Sequence, residues 1–242
     1  MFIAGPYEFL ADSPYGHEER GTVPPSPPPA EGRRALLAHS LLRIDAGWLS
    51  PKAANWMKVS AGKIPPGYHI VNTDTISRVI DTALGKVGIV FFPQGTAPGK
   101  APTREQEHKA LAAGRALRGK TALLLGVSPW GLVGEKKFLP GAQGIFDCIL
   151  GGGEGVAFAH SLAQETPGVL WLRPDGKGRA VNILEILQAP QQSLSPGKRR
   201  QSGGPPQWVE DVTFRASLVF LDPSVPSDPA MRRIIGDPAT DN

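Results

Sequence analysis

The sequence predicts an α/β domain built on a mixed β-sheet, and three observations carry that prediction. Short apolar runs end in Gly, Pro or Asp, as buried strands of an α/β sheet do. Helical segments lie between the early runs, one of them with a complete N-terminal capping pattern. The later runs follow one another without helices, which favours antiparallel pairing toward the C-terminus.

The early strands are expected at residues 1–4, 41–44, 69–72, 86–92, 121–127 and 146–150. Two more, 169–172 and 180–187, flank Pro174-Asp175-Gly176-Lys177-Gly178, whose turn chemistry predicts a β-hairpin. Residues 214–221 form the last strand. Thr103-Arg104-Glu105-Gln106 is a capping box just after Pro102 and opens a helix to about Leu117. Gly114 weakens that helix by roughly 1 kcal/mol relative to Ala. Further helices are expected at 33–40, 77–84 and 230–235. Residues 23–29, Val-Pro-Pro-Ser-Pro-Pro-Pro, have the composition of a polyproline II spacer. Residues 188–207, rich in Ser, Pro, Gly and Gln, read as a loop. The predicted organisation is one domain over 1–222 and a tail over 223–242.

Composition narrows the function classes. Glycine (29) and proline (25) exceed a fifth of the 242 residues, so irregular segments are plentiful. Lys and Arg number 26 against 22 Asp and Glu, a slight excess without the interleaved basic and aromatic runs that nucleic-acid binding needs. The one basic cluster, Lys198-Arg199-Arg200, stands in the polar stretch and reads as solvated. Cys148 is the only cysteine, which rules out an intrachain disulfide and a cysteine-rich zinc site. No apolar run approaches the roughly 18 residues of a membrane span. The first residues lack the basic start and apolar stretch of a signal peptide, so a soluble, unexported chain is expected.

Taken in order, the strand ends resemble those of the metallophosphoesterase superfamily, in its 5'-nucleotidase-like (UDP-sugar hydrolase-like) branch. Residues 41–44 followed by Asp45-Ala46-Gly47-Trp48 resemble a strand ending in Asp-Ala-Gly-Asp. The stretch 67–74, through Asn72-Thr73-Asp74, is similar to the strand that leads to Gly-Asn-His, and 85–90 to the next strand. Residues 123–131, through Ser128-Pro129-Trp130-Gly131, resemble a strand ending in Ser-His-x-Gly. Residues 146–153 resemble the strand ending in Gly-Gly-His-x-His, and 1–5 the strand leading to Asp-x-His. The later hairpin and Pro226-Ser227-Asp228-Pro229 are similar to that branch as well. The resemblance implies a four-layer α/β sandwich with two mixed β-sheets and a periplasmic or secreted setting.

The departures fall on the ligands of the family's two metal ions, which activate water and clamp the phosphate. Gly5-Pro6-Tyr7-Glu8 stands for Asp-x-His, Trp48 for the bridging aspartate, Pro129 for a histidine, and Gly153 and Gly155 for the last two histidines. A dinuclear centre is therefore not expected, nor any other cofactor. A single hard cation on Asp45, Asp74 and Glu154 stays open, beside the plainer reading that Asp45 and Asp74 cap strand-end loops. The implied site is a vestigial face of Asp45, Trp48, Asn72, Asp74, Ser128, Trp130, Gly152, Gly153 and Glu154, which would take a protein partner or a small ligand. Altered phosphoester hydrolysis is the alternative.

Other chemistry is thinner. Gly151-Gly152-Gly153-Glu154-Gly155 before a helix would offer amides to a phosphate, against the reading of a close-packed strand-to-helix turn. It has neither the Lys-Ser/Thr of a P-loop nor the spacing of a dinucleotide fingerprint. His160-Ser161 has no Gly-x-Ser-x-Gly elbow around it. Cys148 inside a strand should be buried and inert. The tryptophans are expected in packing, although Trp48 and Trp130 fall on predicted strand-end loops where an aromatic-lined pocket could form.

Overall fold

Apolar runs of three to seven residues are too short for stable helices, and here they form eleven strands among the described residues. A computed structural model describes residues 3–7 by backbone alone, then 44–51, 54–55, 58, 62–95, 101–162, 168–174, 180–188, 208–220 and 229. The chain divides into two compact units, one of residues 1–72 with 222–242 and one of residues 73–221.

The first unit carries a parallel sheet in which β2 (Ala46–Leu49) lies between β1 (Ile3–Tyr7) and β3 (Tyr68–Ile70). β2 is buried along its whole length. The strand expected at 41–44 is displaced: Ile44 is not in a strand and 41–43 lie outside the described residues. Asp45 therefore precedes its strand instead of ending it, and Trp48 sits inside one. The sequence reading failed because Leu41-Leu42-Arg43-Ile44 and Ala46-Gly47-Trp48-Leu49 are both short apolar runs that local pattern cannot rank.

The second unit is built on a six-stranded mixed sheet, in the order β4 (Ile76–Thr82), β5 (Gly85–Phe91), β6 (Leu123–Val127), β7 (Cys148–Leu150), β9 (Leu170–Arg173), β8 (Phe158–Leu162). β5, β6, β7 and β9 are parallel, while β4 and β8 run antiparallel at the edges. A separate antiparallel ribbon pairs β10 (Ala180–Ile186) with β11 (Phe214–Phe220). The α/β class and the mixed sheet are as the sequence predicts.

Three local expectations are corrected. The helix expected at 77–84 is strand β4, because Ile76, Val79, Ile80 and Thr82 are β-branched and the chain turns back at once into β5. The hairpin expected between 169–172 and 180–187 does not form. Leu170–Arg173 is buried throughout and takes an inner place between β7 and β8, whereas Ala180–Ile186 alternates in burial and pairs with β11. The glycine loop 151–155 leads into strand β8, not into a helix. The expected segments at 23–29, 33–40, 189–207 and 230–235 lie outside the described residues.

Helix α1 (Arg104–Arg118) opens on the predicted capping box. The Gln106 amide donates to Thr103 Oγ1 (3.2 Å) and the Thr103 amide to Gln106 Oε1 (2.9 Å). Gly114 has a positive purpose: a Cβ there would stand 2.6 Å from Ile145 and 2.7 Å from the Phe146 ring, so glycine lets α1 lie close on the core. A second helix, α2 (Gly131–Ala142), has no counterpart in the sequence reading, since Gly131, Gly134, Gly141 and the internal Pro140 mask its pattern. Between these helices and the sheet, Phe92, Trp130, Phe138 and Phe146 pack with ring centroids 4.7–6.2 Å apart.

Asp147, fully buried, fastens α1 to the sheet. Its carboxylate accepts two hydrogen bonds from Arg118 (2.5 and 2.8 Å) and one from the Leu124 amide (2.8 Å). Trp208 adds an indole N–H bond to the Asp147 carbonyl, 3.0 Å. Asp147→Ala strands the guanidinium and the amide together, and denaturant unfolding is expected to register a loss of about 3–5 kcal/mol. Cys148, next in the chain, is fully buried as expected, and burial, then the Asp147 charge, push its thiol well above the ordinary range. The folded thiol keeps its proton when the unfolded one has lost it. Stability should therefore fall by about 1.4 kcal/mol per pH unit above about pH 8.5, and Cys148→Ala should remove that slope. Iodoacetamide should modify Cys148 only in denaturant.

Candidate functional site

The candidate site in the second unit is the end of the sheet where β6, β7 and β9 deliver residues 128–130, 151–155 and 173. Backbone pairing brings the first two together: the Ser128 amide donates to the Leu150 carbonyl (2.9 Å) and the Gly131 amide to the Gly152 carbonyl (3.0 Å). The Leu132 amide donates to the Glu154 carbonyl at 2.8 Å. Trp130, the N-cap residue of α2, makes no side-chain capping bond. The glycine loop supplies carbonyls to the first turn instead, answering donors that a helix start leaves open.

One buried ion pair holds that loop. Glu135 of α2 and Arg173 at the end of β9 are both completely buried side chains, and Arg173 Nη1 donates to Glu135 Oε2. The remaining oxygens and protons are taken up locally. The Trp171 indole N–H (2.9 Å) and the Gly152 amide (3.0 Å) donate to the carboxylate. Arg173 Nη2 donates to the carbonyls of Gly152 (3.1 Å), Gly153 (3.1 Å) and Glu154 (2.8 Å), and Nε to Val156 (3.4 Å). Burial raises the Glu135 carboxyl above the usual carboxylate range, while Arg173 and the donor bonds pull it back. Neither group reaches solvent, so the pair shapes the loop and does not act on a ligand.

Backbone geometry closes the loop further. Gly153 has φ 71° and a Cβ there would meet the Pro129 carbonyl oxygen at 2.8 Å; Gly155 has φ 127° and a Cβ would meet Leu132 Cβ at 2.5 Å. Two of the loop's amides are already used, Gly151 on the Leu172 carbonyl (2.8 Å) and Gly152 on Glu135. The phosphate cradle weighed for 151–155 loses both a following helix and those donors, and the close-packed turn fits better, although it leads into a strand.

The other predicted residues fall as follows. Ser128 is buried and its Oγ accepts from the Trp130 amide (3.2 Å), so its hydroxyl is a turn element. Trp130 is 2% exposed, and its indole N–H donates to the Pro93 carbonyl (2.8 Å). Trp48, in the first unit, is 0% exposed. Both are packing residues, which removes them as walls of an aromatic pocket, because their strand and helix positions turn the rings into the core. Glu154 is exposed, as are Asp45 and Asn72 in the first unit. Asp74 is exposed and lies against α1, 2.9 Å from Lys109, which also meets Glu105 at 3.2 Å. These bonds, Asp74 first, hold Lys109 above the ordinary lysine range. The second unit thus brings Ser128, Trp130, Gly152, Gly153 and Glu154 together and sets Asp74 beside α1. Among the described residues no three His, Cys, Asp or Glu side chains are grouped to hold a metal ion, and no helix is long and apolar enough to cross a membrane.

Glu135 and Arg173 escaped the sequence reading. The available signal was thin: an acid ahead of two lysines in 131–139 and one arginine closing the apolar run 169–172. Either Glu135→Leu or Arg173→Met leaves its partner buried and unmatched, at an expected cost of about 3–5 kcal/mol in denaturant unfolding. Glu135→Leu with Arg173→Met should cost clearly less than the two single losses added, a coupling that a double-mutant cycle reads.

No family model matches this chain, and no curated protein does. Among solved structures, it is similar to a putative 5'-nucleotidase from Staphylococcus aureus, solved in complex with alpha-ketoglutarate, at TM-score 0.49 and 10% identity over 83% of this chain and 42% of that one. It is also similar to the NAD nucleotidase NadN of Haemophilus influenzae, at TM-score 0.40 and 11% identity over 61% of this chain and 31% of that one. The chain spans less than half the length of either protein.

Proposed function

We propose that the protein is a non-catalytic relative of the 5'-nucleotidase-like metallophosphoesterases, working as a binding or assembly subunit through its strand-end face. The observation that carries this reading is the state of the 151–155 loop. Where the resemblance calls for two metal-binding histidines, Gly153 and Gly155 adopt positive φ and stand so close to Pro129 and Leu132 that no side chain enters without rebuilding the turn. The neighbouring carbonyls are committed to Arg173. Trp48, at the position of the bridging aspartate, is spent on packing. A two-metal mechanism needs its ligands in fixed places around both ions, and these substitutions remove that set.

In the second unit the exposed groups available for binding are Asp74 and Glu154, and the first unit exposes Asp45 and Asn72. A hydrolase with an altered metal site is the competing reading, for which the first unit exposes Asp45 and the second Asp74 and Glu154. Lys109 already occupies Asp74, which weighs against it.

Elemental analysis of the purified protein, followed by assays on nucleoside monophosphates and an aryl phosphate with added Mg, Mn, Zn or Ca, separates the two. The expected result is no stoichiometric metal pair and no turnover above the blank. Metal-dependent turnover lost on Asp45→Ala would overturn the non-catalytic reading. Native mass in extract of the source cells tests the assembly half: a complex is expected, and a chain running at its own mass removes that role.

A further inference from the structure

Strand β4 closes one edge of the six-stranded sheet and is bonded to β5 alone. Which of its backbone groups β5 takes up follows from β5 itself. The Lys86 carbonyl accepts from the Ala122 amide (2.7 Å), and the amide of Phe92, just past the strand, donates to the Val127 carbonyl (2.9 Å). The even-numbered residues of this stretch thus turn their backbone groups toward β6. The odd-numbered ones, Gly85 to Phe91, face β4, where they meet Thr82, Ile80, Arg78 and Ile76. The amides and carbonyls of Ser77, Val79 and Asp81 therefore point out of the sheet, and no bond to them is found among the described residues.

Sheet edges of this kind are ordinarily guarded by lysine, proline, a bulge or a covering element. β4 contains neither lysine nor proline, and its register with β5 runs without a shift. The opposite edge strand, β8, is irregular in register and has β11 packed beside it. Ser77, Arg78, Val79 and Asp81 are all exposed, Val79 at 42%. The strand's two charges have opposite signs and alternate between its faces, so neither face repels a second strand throughout.

We propose that β4 pairs with β4 of a second copy, antiparallel about a two-fold axis at Val79. An isologous contact needs a self-complementary strand, and this register answers every outward group. Val79 exchanges both backbone bonds with Val79 of the second copy, and Ser77 does so with Asp81 at either end. A slip of two residues leaves either Ser77 or Asp81 without a partner. The side chains agree with the register. Each Ser77 hydroxyl stands opposite an Asp81 carboxylate, with the Cα atoms about 5.5 Å apart, and the exposed valines cover each other. On the other face Arg78 stands opposite Ile80, so no like charges oppose directly. One strand a side buries less than a standard interface, which sets the dissociation constant on the order of micromolar. No strand-end residue takes part, so failure of this pairing leaves the non-catalytic reading and its test in extract standing.

Sedimentation velocity on the purified full chain, from about 1 µM to about 200 µM, tests it. The mass should rise from that of one chain toward that of two. Val79→Pro removes an outward amide and no bond to β5, so it should keep the far-ultraviolet circular dichroism and weaken the dimer by about tenfold or more. Ser77→Lys should tighten the dimer and Ser77→Asp loosen it, each by about tenfold, since symmetry doubles each cross-strand pair. A single-chain mass at about 200 µM overturns the pairing, as does a dimer that Val79→Pro leaves intact. Should Val79→Pro fail to fold, Val79→Lys, which sets two cations on the axis, must disperse the dimer, and a dimer that survives it overturns the proposal equally. Shifts of the same sign in the two Ser77 variants overturn the register.

Discussion

The Glu135–Arg173 ion pair is the constraint on which the strand-end region of the second unit depends. Burying two charges completely costs several kcal/mol each, and the attraction between them offsets that cost only when the other hydrogen-bonding positions are filled. Here they are filled by the Trp171 indole, the Gly152 amide, three backbone carbonyls of the loop and that of Val156. The charges therefore require the loop in one shape, and the loop requires glycines to take that shape. The same bonds tie α2 to β9, so the helix that received no side-chain cap is positioned by the loop that the ion pair holds.

A second buried carboxylate, Asp147, repeats the device on the other helix. It binds Arg118 of α1, the start of β6 and, through its own carbonyl, Trp208. Helices α1 and α2 are thus each fixed to the sheet by one buried acid as well as by the aromatic cluster around Phe92. Apolar packing is tolerant of sliding, whereas a charged, hydrogen-bonded contact, bidentate for Arg118 on Asp147, is directional and sets the helix in one register. These acids serve the architecture, which leaves the exposed polar groups at the strand ends as the material for any binding role.

The strand-end contacts are close enough to limit what each position accepts. An Asp at 48 would place a charge in the first unit's core, and a His at 153 would collide with Pro129.

Much of the local structure was legible in the sequence. The capping box at Thr103–Gln106, the strands β5, β6, β7, β9, β10 and β11 and the burial of Cys148 all depend on residues within a turn or two of one another, and local chemistry decides them. The helix expected over β4, the unforeseen α2 and the strand placed before Asp45 were misread because β-branching, glycine and short apolar runs are locally ambiguous. Of the candidate site, the sequence reading named Ser128, Trp130, Gly152, Gly153 and Glu154, which the second unit brings together. The tertiary structure decided that Trp48 and Trp130 face inward, that β9 pairs with β7 and β8 rather than β10, and that Glu135 is bound to Arg173, 38 residues away. The reason is physical: a short segment carries its own propensity, but whether a charge or an indole can be buried depends on the partner that meets it, and that partner is supplied only when distant strands come together.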